Sequence, residues 1–326
     1  MEFFHSVNVD WLGKKWYFLA FSLIFSVAGI ASMAWHVHTI GSPVPLGVDF
    51  KGGTQVQVQF TQPPDINRIR QAVSAEGIRD VNIATFGPAA NHEVLISLPE
   101  QTNEGALDTG REQIEGALHA HYNNPFSIRN VDIVGPTVGR QLEKQATLAT
   151  LYSMAGMLIY LWFRFQLIYG VAAVVACFHD TLITVGAFAL LDSFGFKGME
   201  ISLTVIAAIL TLVGYSMNDT IVVFDRIREN LRISRREPLP DLVNRSINQT
   251  LSRTVLTSGL TFLTVLSLFI FGGQVLKGFS FALVVGILIG TYSSIAVAAP
   301  MLVAWQEWRA KKGKVTVLPA AKRARV

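Results

Sequence analysis

Six apolar stretches, each long enough to cross a bilayer as a helix, constrain this chain more than any other feature. A helix traverses the hydrocarbon core with about 20 predominantly apolar residues. Segments 16–35, 146–163, 165–191, 201–224, 254–272 and 278–305 meet that requirement, and only Arg164 separates the second from the third. Backbone in lipid must satisfy its own polar groups, so these segments predict a polytopic α-helical membrane protein with six transmembrane helices. Composition agrees. Charged residues make up 15% of the chain, against about 25% in an average soluble domain.

The positive charges predict how the spans are oriented. Lys14 and Lys15 precede the first span. Arg226, Arg228, Arg232, Arg235, Arg236 and Arg245 lie between the fourth and fifth, with Arg253 at the end of that loop. The tail carries Arg309, Lys311, Lys312, Lys314, Lys322, Arg323 and Arg325, whereas the short loops on the other side hold only Lys197 and Lys277. Basic loops stay on the cytoplasmic side. The expected layout is a cytoplasmic N-terminus (1–15), a first span, and an extracytoplasmic segment (36–145). A bundle (146–305) follows, with a cytoplasmic loop at about 225–252 and a basic cytoplasmic tail (306–326). A cleavable signal peptide is the rival reading of the first span, given small residues Ser32 and Ala34. Its apolar run is longer than the usual 7–15 residues, which favours a retained helix.

The segment between the first two spans changes period. After Gly52-Gly53, residues 54–60 alternate, with Val56, Val58 and Phe60 on one face, as in a strand. Pro63-Pro64-Asp65 starts a helix with Ile66, Ile69 and Val73 at helical spacing. Strands are predicted at 81–86, 94–98 and 126–134, with a helix over 103–122. The order strand, helix, strand, strand, helix, strand is that of a ferredoxin-like α+β domain.

Several chemistries find no support. Cys177 is the single cysteine, so no intrachain disulfide and no cysteine metal site is expected. No phosphate-binding Gly-rich loop occurs, and no nucleophile–base pair is evident, so the chain does not read as an enzyme. His92, His119 and His121 have no ligand spacing and are expected at the surface. No cofactor is expected, and the basic residues follow topology rather than nucleic-acid binding.

Ionisable residues inside spans are costly and are candidate functional groups by default. His179-Asp180 lies in the third span, where Asp180 shares a face with Ala173, Ala176, Thr184 and Ala187, all small. Asn218-Asp219 lies in the fourth, along a stripe of Thr204, Ala207, Thr211 and Gly214 that continues to Asp225. Neighbours on a helix point about 100° apart, so one of Asn218 and Asp219 serves this bundle and the other a partner's. The fifth span starts at Arg253, followed by Thr257, Thr261 and Thr264. Were Arg253 near Asp219, it would hold that acid ionised, and moving it away would admit a proton. The alternative is that these polar groups join helices by hydrogen bonds. That suits the hydroxyl stripes; Asp219 favours the proton role, and Asp180 stands between. Gly286-x-x-x-Gly290 is a close-packing signal.

Longer strings add a family resemblance. Gly47-Val-Asp-Phe-Lys-Gly-Gly-Thr54, Val134-Gly-Pro-Thr-Val-Gly139, His179-Asp180, Gln249-Thr-Leu-Ser-Arg-Thr254 and Phe271-Gly-Gly-Gln-Val-Leu-Lys-Gly-Phe279 resemble those of SecF proteins. So does the most specific string, Gly214-Tyr-Ser-Met-Asn-Asp-Thr-Ile-Val-Val-Phe-Asp-Arg-Ile-Arg-Glu-Asn230. The resemblance implies half of an RND-type transporter in the bacterial inner membrane, paired with SecD. It also implies association with SecYEG, and with YajC in some cases, to drive export of unfolded polypeptides by the proton-motive force. Asp219 and Arg253 then fall on residues implicated in proton transport, and Asp180 on the family's His-Asp pair. Carboxylates serve sodium as readily as protons. Two other functions compete: half of a small-molecule or lipid transporter, and a non-transporting assembly scaffold.

Overall fold

The computed structural model describes residues 8–78, 81–87, 89–99, 107–165, 167–196, 199–234 and 237–312. Six of its helices are long and apolar enough to span a membrane. The first is α1 (Lys15–Ile40), which ends at Gly41 with φ 75°, a left-handed turn that suits glycine. A short helix α2 (Val48–Lys51) follows, then Gly52 and Gly53 at φ 80° and 131°, which swing the chain into the first strand. The second long helix, α5, runs Pro136–Arg164 and starts ten residues before the apolar stretch begins.

Between them sits the sheet domain. It contains β1 (Gly53–Phe60), α3 (Ile66–Ala75), β2 (Asn82–Phe86), β3 (Glu93–Pro99), α4 (Leu107–His121) and β4 (Phe126–Val134). The strand order is β2-β3-β1-β4 with every pairing antiparallel, which is the expected split βαβ arrangement. The alternation seen in β1 is the burial pattern. Val56, Val58 and Phe60 point into a core shared with Ile69 and Val73 of α3 and Ile114 and Leu118 of α4. Asp65 caps α3 by accepting from the Asn67 and Arg68 amides at 2.9 and 3.3 Å. The start of the helix expected at 103–122 falls at 103–106, outside the described residues.

The remaining spans are α6 (Leu167–Ser193), α7 (Leu203–Ile233), α8 (Leu239–Phe271) and a last span made of three pieces. Those pieces are α9 (Gly273–Ser293), a π-helical turn (Ser294–Ala298) and α10 (Ala299–Lys311). Residues 225–252, expected as a loop, are mostly helix. α7 continues to Ile233 and α8 begins at Leu239, so only a short connection remains, in which Arg235 and Arg236 lie outside the described residues. The ends of these helices are polar and so escape an apolarity criterion. The tail from 313 onward also lies outside the described residues.

Close packing depends on glycine in three places. A Cβ on Gly186 of α6 would come within 2.8 Å of Gly29 Cα on α1, so these helices touch backbone to backbone. Gly286 and Gly290 bring α9 against α7, where added Cβ atoms would meet Leu212 at 2.5 Å and Ser216 at 3.0 Å. Gly214, expected at a helix contact, instead faces open space. The sheet domain is seated on the bundle by Gly139, whose Cβ would strike the Phe50 carbonyl at 2.5 Å. The Leu203 amide also donates to Asp49 at 2.8 Å, and Asn82 to Glu200 at 2.8 Å.

Candidate proton-relay site

Two buried carboxylates occupy the bundle. Asp180 on α6 is fully buried, and Asp219 on α7 is 2% exposed. The small residues around Asp180 account for its position: Ala173, Ala176 and Thr184 are buried on the same side, so neighbouring helices approach closely.

Asp180 is held by three groups from three helices. His179 Nδ1 lies 2.9 Å from Oδ1, and Ser216 of α7 and Ser293 of α9 donate to Oδ2 at 2.5 and 2.6 Å. His179 reaches further, its Nε2 lying 2.5 Å from Ser22 Oγ on α1. A neutral imidazole that donates from Nδ1 and accepts at Nε2 satisfies both contacts beside an ionised acid. The result is a continuous polar chain from α1 through α6 to α7 and α9.

Asp219 has a different set of partners. Ser258 of α8 donates to Oδ2 at 2.7 Å and Thr291 of α9 at 3.4 Å. One turn before Ser258, Thr254 is buried, and its hydroxyl has no hydrogen-bond partner among the described residues. Ser258 and Thr291 also stand on the wall of an apolar groove of about 360 Å³ between α1, α8 and α9.

Other expected site residues lie elsewhere. Asn218 points away from the bundle and is exposed, so of the adjacent pair Asp219 serves this chain. Arg253 stands on the exposed face of α8, where its charge reaches Asp219 electrostatically without forming an ion pair in contact. Asp225 lies over a turn beyond Asp219 at the helix surface, half-exposed and 4.0 Å from Arg164. Thr257, Thr261 and Thr264 do not meet Asp219; they donate to carbonyls one turn back on their own helix. The stripe of Thr204, Ala207, Thr211 and Asn218 on α7 is exposed as well. Two polar faces therefore remain uncovered by this chain, one on α7 and one on α8.

Ser22, Ser216, Ser258, Thr291 and Ser293 were not singled out by sequence pattern. One weak signal exists: Ser216 precedes Asp219 by three residues, one turn of the same helix. A second buried polar pair sits at the other end of α1. His36 Nε2 lies 2.9 Å from Asp192 of α6 and its Nδ1 lies 2.9 Å from the Ser32 carbonyl, while Ser32 meets Ser193 at 3.0 Å. Among the described residues, no group of His, Cys, Asp and Glu is arranged to hold a metal ion.

Comparison with known proteins gives consistent matches. The family described as "Protein export membrane protein SecD/SecF, C-terminal" matches residues 114–308, and the "SecD/SecF GG Motif" matches residues 40–64. A protein from Koribacter versatilis named "Protein translocase subunit SecF" is 53% identical, over 96% of this chain and 95% of that one. A namesake from Desulfurispirillum indicum is 43% identical, over 91% of this chain and 92% of that one. Among solved structures, SecDF from Thermus thermophilus, called a translocon-associated membrane protein, superposes with a TM-score of 0.76 at 36% identity. The match covers 93% of this chain but 39% of that structure, so this chain spans about two fifths of its length.

Proposed function

Because the chain belongs to the SecD/SecF family of protein-export membrane proteins, with a SecDF-type role in protein translocation, we propose that Asp219 and Asp180 bind and release the protons that drive it. One observation carries the reading: Asp219 is buried among apolar helices with two hydroxyl donors and no cationic partner in contact. The groups in contact with this carboxylate are neutral donors, so taking up a proton breaks no ion pair. Movement of a proton inward down about 100 mV releases about 2.3 kcal/mol.

The layout expected from the basic loops puts both termini in the cytoplasm and the sheet domain in the periplasm of a bacterial inner membrane. The exposed polar faces of α7 and α8 suit a second six-span membrane protein, and SecD fits that description. On that interface Arg253 and Asn218 would become buried, and Arg253 could approach the acid from the partner's side. SecYEG and, in some cells, YajC complete the assembly, with an unfolded exported polypeptide as substrate.

The test measures export in cells with and without this chain, each with and without a protonophore. The chain-dependent part of export is expected to collapse with the protonophore. A chain-dependent part that persists contradicts the proton reading, and sodium is then the ion to vary. Export that is equal with and without the chain contradicts the translocation role.

A further inference from the structure

We propose that Ser293 passes the protonation state of Asp180 to the α-to-π junction of the last span. The inference rests on the proton reading above and names the element that responds. Ser293 is fully buried, and its hydroxyl has two acceptors within reach. Asp180 Oδ2 lies at 2.6 Å and the Gly290 carbonyl of its own helix at 3.2 Å. A hydroxyl has one proton, so it serves one acceptor fully at a time.

Facing an ionised Asp180, the charge-assisted bond to the carboxylate wins. Ser216 donates to the same oxygen from α7 at 2.5 Å. A proton arriving on Oδ2 turns that oxygen into a donor. The hydroxyl that receives the new bond must turn its own hydrogen elsewhere. Ser216 has no second acceptor among the described residues, whereas Ser293 has Gly290. The exchange balances: Asp180 O–H donates to Ser293 Oγ, and Ser293 O–H donates to the Gly290 carbonyl. Of the other titratable groups, Asp180's own helix offers His179 and Cys177, α7 offers Asp219 and α9 offers Tyr292.

Gly290 is placed where a second donor has consequences. Its carbonyl already accepts the Ser294 amide, at the residue where the π-helical turn begins. A hydroxyl bonded back onto such a carbonyl loosens and bends the helix, and single π turns inside α-helices recur at functional sites. Gly290 is also where α9 lies against Ser216 of α7, and the next residue, Thr291, donates to Asp219. One hydroxyl swing at Ser293 therefore acts on the helix that touches both acids. Ser293 is a positioning residue in this scheme and carries no proton across the membrane.

The experiment uses the full chain purified with its membrane partner in lipid nanodiscs. Infrared difference spectra between acid and neutral pH report the C=O band of protonated Asp180, identified as the band lost in Asp180→Asn. Carbon-13 labelling of aspartate identifies the carboxyl bands if that variant fails to accumulate. Ser293→Ala is expected to shift the band and to slow export about tenfold, as for loss of one hydrogen bond to a charged group. Ser293→Thr, which keeps the hydroxyl, is expected to restore both. An unmoved band in Ser293→Ala overturns the proposal and leaves Asp180 as a proton site, and so does a shifted band with full export. Absence of any Asp180 band overturns the proton reading of that residue as well.

Discussion

Ser216 donates a hydrogen bond of 2.5 Å to Asp180 from a position one turn before Asp219 on the same helix. The two buried acids therefore share α7, and they share α9 through Ser293 and Thr291. Neither acid changes its charge without altering a bond to a helix that also contacts the other. Coupling of this kind needs no long pathway, because the shared elements are single helices.

Bond length ranks the two donors to Asp219. Ser258 donates at 2.7 Å and Thr291 at 3.4 Å, and a contact near the outer limit of hydrogen bonding contributes less. Ser258→Ala is expected to slow export about tenfold, and Thr291→Val about twofold or less. Export rates at matched protein abundance check the order. An equal loss in both would show that the distances do not rank these donors.

The contact between α1 and α6 depends on the absence of two side chains. Gly186→Val pushes a branched side chain into Gly29 Cα, which a single Cβ would already approach at 2.8 Å. Overpacking of this kind costs about 1–3 kcal/mol. The melting temperature of the purified protein is expected to fall, and a cross-link between cysteines introduced on α1 and α6 should form more slowly. Gly214→Ala makes the opposite case. A Cβ there meets nothing, and the helix gains by up to about 1 kcal/mol from replacing glycine. In the purified chain it is expected to be neutral or stabilising; if it weakens only the complex with the partner, that face of α7 is the interface.

His36 and Asp192 form a pair with side-chain exposures of 4% and 19% at the end of α1 nearest the sheet domain. Removing one member costs the other a hydrogen bond in a poorly solvated site, at about 1–3 kcal/mol. His36→Leu and Asp192→Leu are each expected to destabilise the protein, and the double variant less than the sum of the two. A double-mutant cycle measures that coupling, expected within about 0.5–3 kcal/mol. Additive losses would mean that the two side chains do not act as a pair.

Much of this fold was legible because it follows from periodicity. Six apolar runs gave six spans, and the switch to alternation over 54–60 gave β1 with Val56, Val58 and Phe60 inward. Helix ends were less legible, since α5, α7 and α8 extend past their apolar runs on polar residues that carry no such signal. The site divided in the same way. Asp180 and Asp219 stand out in sequence because charge is rare in a span. Their partners do not: one serine among many in apolar helices has no mark, and only tertiary packing selects Ser216, Ser258 and Ser293. The threonine row of α8 was the more regular pattern, yet it points outward and bonds to its own backbone. Regular spacing showed that α8 has a polar face; it could not show whether this chain or another one covers it.

The central claim is that Asp219 must take up and release a proton. Asp219→Asn keeps the size of the side chain and its capacity to accept from Ser258, but it cannot ionise. Export is to be measured in cells that depend on this chain, together with its abundance and its co-purification with the proposed partner, SecD. The account predicts export falling to the level of cells lacking the chain while abundance and co-purification stay unchanged. Full export in Asp219→Asn would contradict it, and an abundant protein that no longer co-purifies would make Asp219 a structural joint between subunits instead.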